Sequence, residues 1–109
     1  INFLLSCGIP KSRIIIDPGI GFGKSLYQNL QIISNISLFH SLGCPILVGL
    51  SRKGFIGKIT GEVEPNKRKL SSIILAFELI KKGVHIIRVH DIKGTYKMIK
   101  IFNSLKLNI

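Results

Sequence analysis

Residues 14–24 read Ile-Ile-Ile-Asp-Pro-Gly-Ile-Gly-Phe-Gly-Lys, or IIIDPGIGFGK. Three apolar residues run into a carboxylate, a proline and a loop with glycine at positions 19, 21 and 23. An apolar run without polar alternation marks a strand buried on both faces, as in parallel sheets. Asp17 precedes Pro18, which holds it extended and closes the strand. A carboxylate at that depth is costly unless it is paired. Two arrangements would pair it: parallel N–H donors from a flat heterocycle such as a 2-aminopyrimidine, meeting it as an arginine fork does, or a capping role in the turn that follows. The glycines permit positive φ and let backbone approach a bound group. Two phosphate-loop patterns fail here. A Walker A loop needs glycine where Pro18 stands, and a dinucleotide fingerprint needs glycine at Lys24.

Two further apolar runs resemble the first: residues 45–50 and 85–90. The three candidate strands start at residues 13, 45 and 85, and each is followed by residues with helical spacing. Tyr27, Leu30, Ile33, Ile36, Phe39 and Leu42 recur at threes and predict one helix face. Leu70, Ile73, Ile74, Phe77 and Ile80 predict a second, with Gly83 as its C-terminal stop. Met98, Ile99, Phe102 and Leu105 predict a third, and the first dozen residues read as the tail of a helix and a loop. The order β-α-β-α-β-α predicts an α/β fold of parallel strands with right-handed crossovers. An eight-stranded (β/α) barrel spends about 31 residues on each unit, so three units fit in 109 residues and eight do not.

Every candidate strand turns polar at its carboxyl end, where ligands bind in parallel α/β folds. The first ends in Asp17, the second in Ser51-Arg52-Lys53, and the third in Arg88-Val89-His90-Asp91. Strand alternation puts Arg88 and His90 on the side of Ile86, with Ile87 and Val89 opposite. Arg88 and His90 then form an anion seat, since the guanidinium fork binds phosphate oxygens in pairs; alternatively Arg88 pairs with an interior carboxylate. Lys53 lies two residues from Ser51 and shares its direction, whereas Arg52 faces structural carboxylates. His40 and His85 read as ordinary helix-surface and strand residues.

The formal net charge is +11, and twelve of the sixteen cations are lysine. They are scattered, and no aromatic residues interleave with the densest cluster, Lys67-Arg68-Lys69, so a solvated basic surface is expected and a specific nucleic-acid partner is not. No apolar run reaches the ~20 residues of a membrane span. Residues 1–10 do not form a secretory signal. Cys7 and Cys44 show no metal or redox spacing, and two lone thiols fit a reducing cytoplasm.

Together, IIIDPGIGFGK, SRKGFIG (residues 51–57) and RVHD (residues 88–91) resemble the dihydropteroate synthases, folate-biosynthesis enzymes on a TIM barrel. The motifs occur in the family's order and spacing, and the likeness covers the family's last three βα units. The fold expected is therefore a partial TIM (β/α) barrel of three parallel βα units, residues 1–109 being the C-terminal part of a pterin-binding barrel domain. The resemblance implies a transferase that condenses hydroxymethyl-dihydropterin pyrophosphate with para-aminobenzoate and releases pyrophosphate. It maps the pterin aminopyrimidine contact to Asp17 and the lysine along the pterin to Lys53. The aminobenzoate subsite maps to Ser51, Gly21 and Phe22, and the pyrophosphate seat to Arg88 and His90. No general base is implied, because the aromatic amine is already neutral at pH 7.

Mg²⁺ is implied as cofactor, with its protein ligand on the family's first strand, which has no counterpart in these residues. A homodimer through late helices is also implied for the full-length enzyme. The expectation is a C-terminal fragment that is poorly stable and inactive by itself. Two other readings stand beside it: a phosphate-ligand binding module without catalysis, and a remnant of a split gene.

Overall fold

The computed structural model describes residues 1–107. Helix α1 (Asn2–Ser6) and a 3-10 turn (Lys11–Arg13) lead into the first extended segment. Helix α2 (Leu26–Ser34) continues as a 3-10 helix (Ile36–Leu42), and strand β1 (Leu47–Val48) follows. Helix α3 (Gly54–Thr60), a 3-10 turn (Pro65–Arg68) and helix α4 (Lys69–Lys81) lead to strand β2 (Ile86–Ile87), and helix α5 (Ile92–Leu107) ends the described chain.

The three expected strands run parallel but are far shorter than their apolar runs suggest. β1 pairs with β2 in the register Leu47–Ile86 and Val48–Ile87. The first run contributes a single parallel bridge, Ile16 to Ile46. Its start is taken by the 3-10 turn at Lys11–Arg13 and its end by Pro18, so little of it can join the ladder. In place of three strands the described residues hold two short parallel strands and one bridge.

Burial on both faces is a second expectation that the structure corrects. Ile46, Val48 and Leu50 point into the core with Ile33, Ile36, Phe55, Ile56 and Leu79. On the opposite face Ile15 is 53% and Ile86 38% exposed, so one side of the sheet is covered by helices and the other is open.

The first predicted helix breaks at Asn35, whose side chain donates back to the carbonyl of Gln31 and diverts the chain into 3-10 geometry. Ile33 and Ile36 keep their core positions, while Tyr27 is exposed. Ser25 starts α2 with a full capping box: its hydroxyl accepts from the Gln28 N–H, and the Gln28 side chain accepts from the Ser25 N–H. Ser25→Ala is expected to cost about 1 kcal/mol, readable as a lowered urea midpoint.

Helix α4 ends as predicted at Gly83, with φ +94, but its core face is not the predicted one. Ser72, Ala76 and Leu79 are buried, whereas Leu70 and Ile74 lie in solvent. The predicted stripe instead meets α5 where Phe77 stands edge-on to Phe102 at 5.9 Å between centroids. Thr95 and Met98 are buried on α5, and Leu105 falls outside its stripe. Cys44 is a core thiol, whereas Cys7 is exposed. His85 is more than a strand residue: its Nδ1 accepts from the Ile46 N–H at 3.0 Å, and its ring lies 5.5 Å from that of His40.

Candidate functional site

Parallel pairing sends all three carboxyl ends to one rim, and the side chains there touch one another. The loop after Ile16 turns back at once, because the Asp17 Oδ1 accepts from the Gly19 N–H at 2.8 Å. The carboxylate therefore caps its own turn with one oxygen. Gly21 has φ +88, and its N–H is received by the Asn29 side chain at 2.8 Å. Asn29 is only 2% exposed, so one buried amide from α2 fixes the middle of the glycine loop. Motif spacing does not reveal it; a polar residue on the inner side of a helical stripe is the signal that points to it.

Lys53 reaches this loop from the second strand end. Its Nζ donates to the Ile20 carbonyl and stands 4.4 Å from the centre of the Phe22 ring. A Cβ added at Gly21 would lie 2.7 Å from the Lys53 Cδ, so only glycine admits the lysine stem. Burial, and after it the Arg88 guanidinium, hold the Lys53 amine below its ordinary pKa; Asp17 opposes that shift and Lys24 adds to it. The Lys53 amine thus feels the charges of both Arg88 and Asp17 across the rim.

Arg88 lies on the open face of the sheet. A Cβ at Gly49 would come within 2.8 Å of three of its guanidinium atoms, so the glycine in β1's extension is the floor under the arginine. His90 is fixed through Ser51, whose Oγ accepts from the His90 N–H at 3.2 Å and lies 2.9 Å from Nδ1. Where the hydroxyl proton serves Nδ1, the ring proton sits on Nε2 as a donor. Ser51 and Lys53 do not share a direction as expected. Ser51 is buried against the third strand end, while Lys53 turns to the first loop.

The residue between them is Arg52, with φ +58, the one non-glycine residue in the left-handed region among those described. That conformation costs about 1–2 kcal/mol, and it is what breaks the strand alternation. The Arg52 side chain faces a carboxylate as expected, and Asp91 receives it through two hydrogen bonds. The guanidinium bond to Asp91 holds that carboxyl below the usual range. Because the folded value is the lower one, the contribution to stability is full above the ordinary carboxyl pKa of ~3.9 and is lost as pH falls through the folded value. Urea midpoints are expected to fall on acidification below about pH 4, with a weaker acid dependence in Asp91→Asn.

A cavity of about 360 Å³ opens beside the rim, lined by Gly21, Phe22, Lys24, Lys53, Phe55 and Lys58 among others. Its size is within the range of small-molecule sites. Two more mainly apolar hollows, about 510 and 500 Å³, lie along α2 with its 3-10 extension and between α4 and α5, and neither is lined by the charged residues of the rim.

Among the described residues no group of three His, Cys, Asp or Glu could hold a metal ion. Magnesium takes oxygen ligands. At this rim one Asp17 oxygen is engaged by backbone and Asp91 is engaged by Arg52, so the residues present do not fit that ion.

This parallel α/β chain carries a carboxylate, a lysine, an arginine and a histidine (Asp17, Lys53, Arg88 and His90) at its strand ends, the position where ligands bind in such folds. The chain belongs to the family described as pterin binding enzyme, which it matches over residues 2–90. It is 40% identical to the dihydropteroate synthase of Escherichia coli K12 over 97 residues, 89% of this chain and 34% of that protein. The dihydropteroate synthase of Neisseria meningitidis serogroup B is 38% identical over 108 residues, 96% of this chain and 38% of that protein. The Yersinia pestis dihydropteroate synthase structure aligns with a TM-score of 0.92 at 36% identity, over 96% of this chain and 49% of that one. The Xanthomonas albilineans enzyme in complex with 7,8-dihydropteroate aligns at 0.90 and 35% identity, over 96% and 43% respectively, and has also been solved with 4-aminobenzoic acid. The chain spans about a third of the length of the curated relatives it matches.

Proposed function

We propose that this chain supplies the last three βα units of a dihydropteroate synthase barrel, the part that holds the pyrophosphate and much of the pterin and aminobenzoate sites. The reading is supported by the placement of Asp17, Lys53, Arg88 and His90 at the parallel carboxyl ends of the strands, with the charges of Arg88 and Asp17 acting on the Lys53 amine and Ser51 holding the His90 ring. The ligands in the Xanthomonas albilineans structures, 7,8-dihydropteroate and 4-aminobenzoic acid, are chemically what such a rim would take.

In this reading the second Asp17 oxygen receives the aminopyrimidine edge of the pterin. Lys53 lies along the pterin ring, with Gly21 and Phe22 shaping the aminobenzoate side. The pterin methylene–oxygen bond breaks and its electron pair leaves with pyrophosphate. The neutral arylamine forms the new carbon–nitrogen bond and then loses a proton to solvent. Arg88 and His90 Nε2 lower the barrier by meeting the charge that develops on the departing group. Ser51 acts through His90 by setting its ring, a different role from direct contact with aminobenzoate. Magnesium remains an expectation tied to residues outside this chain, and no step here passes through it. Cytoplasmic folate synthesis and a dimer through the exposed side of α5 belong to the same proposal.

The test is a chimera in which residues 1–109 replace the matching segment of the Escherichia coli relative. It is expected to make dihydropteroate, and the same chimera with Asp17→Ala is expected to lose pterin affinity by tenfold or more, consistent with charge-assisted hydrogen bonds of roughly 1.5–3 kcal/mol. A folded chimera that binds pyrophosphate and pterin pyrophosphate equally well, without turnover, would favour a phosphate-binding module.

A further inference from the structure

The left-handed backbone at Arg52 is held at its carbonyl, its N–H and its side chain, and the carbonyl is held by a residue from outside the rim. Arg68, at the end of the 3-10 turn before α4, donates from Nη1 to the Arg52 carbonyl at 3.0 Å. Its Nε donates to the Glu62 carbonyl at 2.9 Å and its Nη2 to the Val63 carbonyl at 2.6 Å. The same guanidinium therefore ties the Ser51–Lys53 loop to the loop that follows α3. One turn into α4, Ser72 accepts from the Arg52 N–H at 2.8 Å and donates to the Arg68 carbonyl at 2.6 Å. Both backbone groups of Arg52 are thus engaged by α4 and its lead-in turn, and its side chain by Asp91.

Unfavourable backbone conformations persist where the surroundings over-determine them, and they cluster at functional sites. Here the consequence is geometric. With Arg52 left-handed, Ser51 turns to His90 and Lys53 turns to Ile20 and Phe22. With Arg52 in the ordinary extended region, the two would fall on one side and one of these contacts would be lost. Gly57 completes the device: a Cβ there would lie 2.7 Å from Arg68 Nη2, so α3 leaves a slot for the guanidinium.

We propose that Arg68 is a positioning residue for the rim, which through the Arg52 carbonyl, with Ser72 on the Arg52 N–H, sets Lys53 against the glycine loop and Ser51 against His90. Its ligand consequence rests on the function proposed above; its effect on Lys53 does not. Lysine keeps the charge of Arg68 but cannot make three forked bonds. In Arg68→Lys, the Lys53 amine, followed by NMR with selectively labelled lysine, is expected to titrate closer to a free lysine than in the unsubstituted chain. Affinity for 4-aminobenzoate is expected to fall tenfold or more, with inorganic pyrophosphate affinity changed less than threefold. A change confined to thermal stability, with Lys53 titration and both affinities as in the unsubstituted chain, overturns the proposal. Should Arg68→Lys fail to fold, Ser72→Ala carries the same test, and the same results support or overturn the proposal. If the chimera carrying unsubstituted residues 1–109 binds neither ligand, the function proposed above fails, and the Lys53 titration alone decides the role of Arg68.

Discussion

Arg88→Ala is expected to weaken pyrophosphate binding by ten- to a hundredfold, and Gly49→Ala to reproduce much of that loss without touching a charge. A hydrogen bond to a charged group is worth about 1.5–3 kcal/mol, more than a neutral one, and the guanidinium delivers such bonds in pairs. Arg88 is exposed on the open face, and after burial its charge is what holds the Lys53 amine down. Two cations kept together repel, and a bound polyanion relieves that repulsion. Pyrophosphate is therefore expected to raise the Lys53 pKa as well. At Gly49 an added methyl would stand 2.4 Å from Arg88 Nη2, yet the atoms it meets are the far end of a flexible side chain. The arginine swings off the rim and the fold survives. Calorimetric titration of the two variants checks both statements. A Gly49→Ala chain that melts and binds pyrophosphate as the parent does would show that the arginine's position does not matter.

How much of this was legible in the residues depends on the range of the interaction. Parallel strands ending in polar groups followed from apolar runs with charges at their carboxyl ends, a local pattern. So did the helix stop at Gly83 and the pairing of Arg52 with a carboxylate. Side-chain alternation assigned the face of Arg88 correctly, because nothing interrupts the chain between Ile86 and Arg88. It failed between Ser51 and Lys53, because the left-handed Arg52 depends on Arg68 and Ser72, sixteen and twenty residues along the chain. Asn29 stayed hidden for the same reason: its partner, the Gly21 N–H, belongs to another element. Strand length was overestimated since an apolar run records burial, and hydrogen-bond partners must come from neighbours that the run itself does not specify.

The same limit decides the largest expected stability effect, Leu79→Ala. Periodicity placed the core face of α4 on Leu70, Ile73, Ile74, Phe77 and Ile80, because an apolar residue recurs there every third or fourth position. The helix is apolar around most of its circumference, so the pattern could not tell the sheet side from the α5 side. The structure does: Leu79 is fully buried among core residues that include Ile46, Val48 and Val84, while Leu70 is 70% exposed. Truncating a buried leucine costs about 2–5 kcal/mol, part transfer and part cavity, whereas surface changes stay within about 0.5 kcal/mol. Domains of this size have roughly 5–15 kcal/mol in total, and an open sheet face with Ile15 and Ile86 in solvent argues for the low end. Leu79→Ala is therefore expected to lower the melting temperature by ~10 °C or more or to unfold the chain outright. Leu70→Ala should melt within a few degrees of the parent. Thermal melts followed by far-UV circular dichroism separate the two faces. Equal losses from both substitutions would mean that α4 packs with the face its periodicity suggests, and that the strand ends do not meet where the rim requires them.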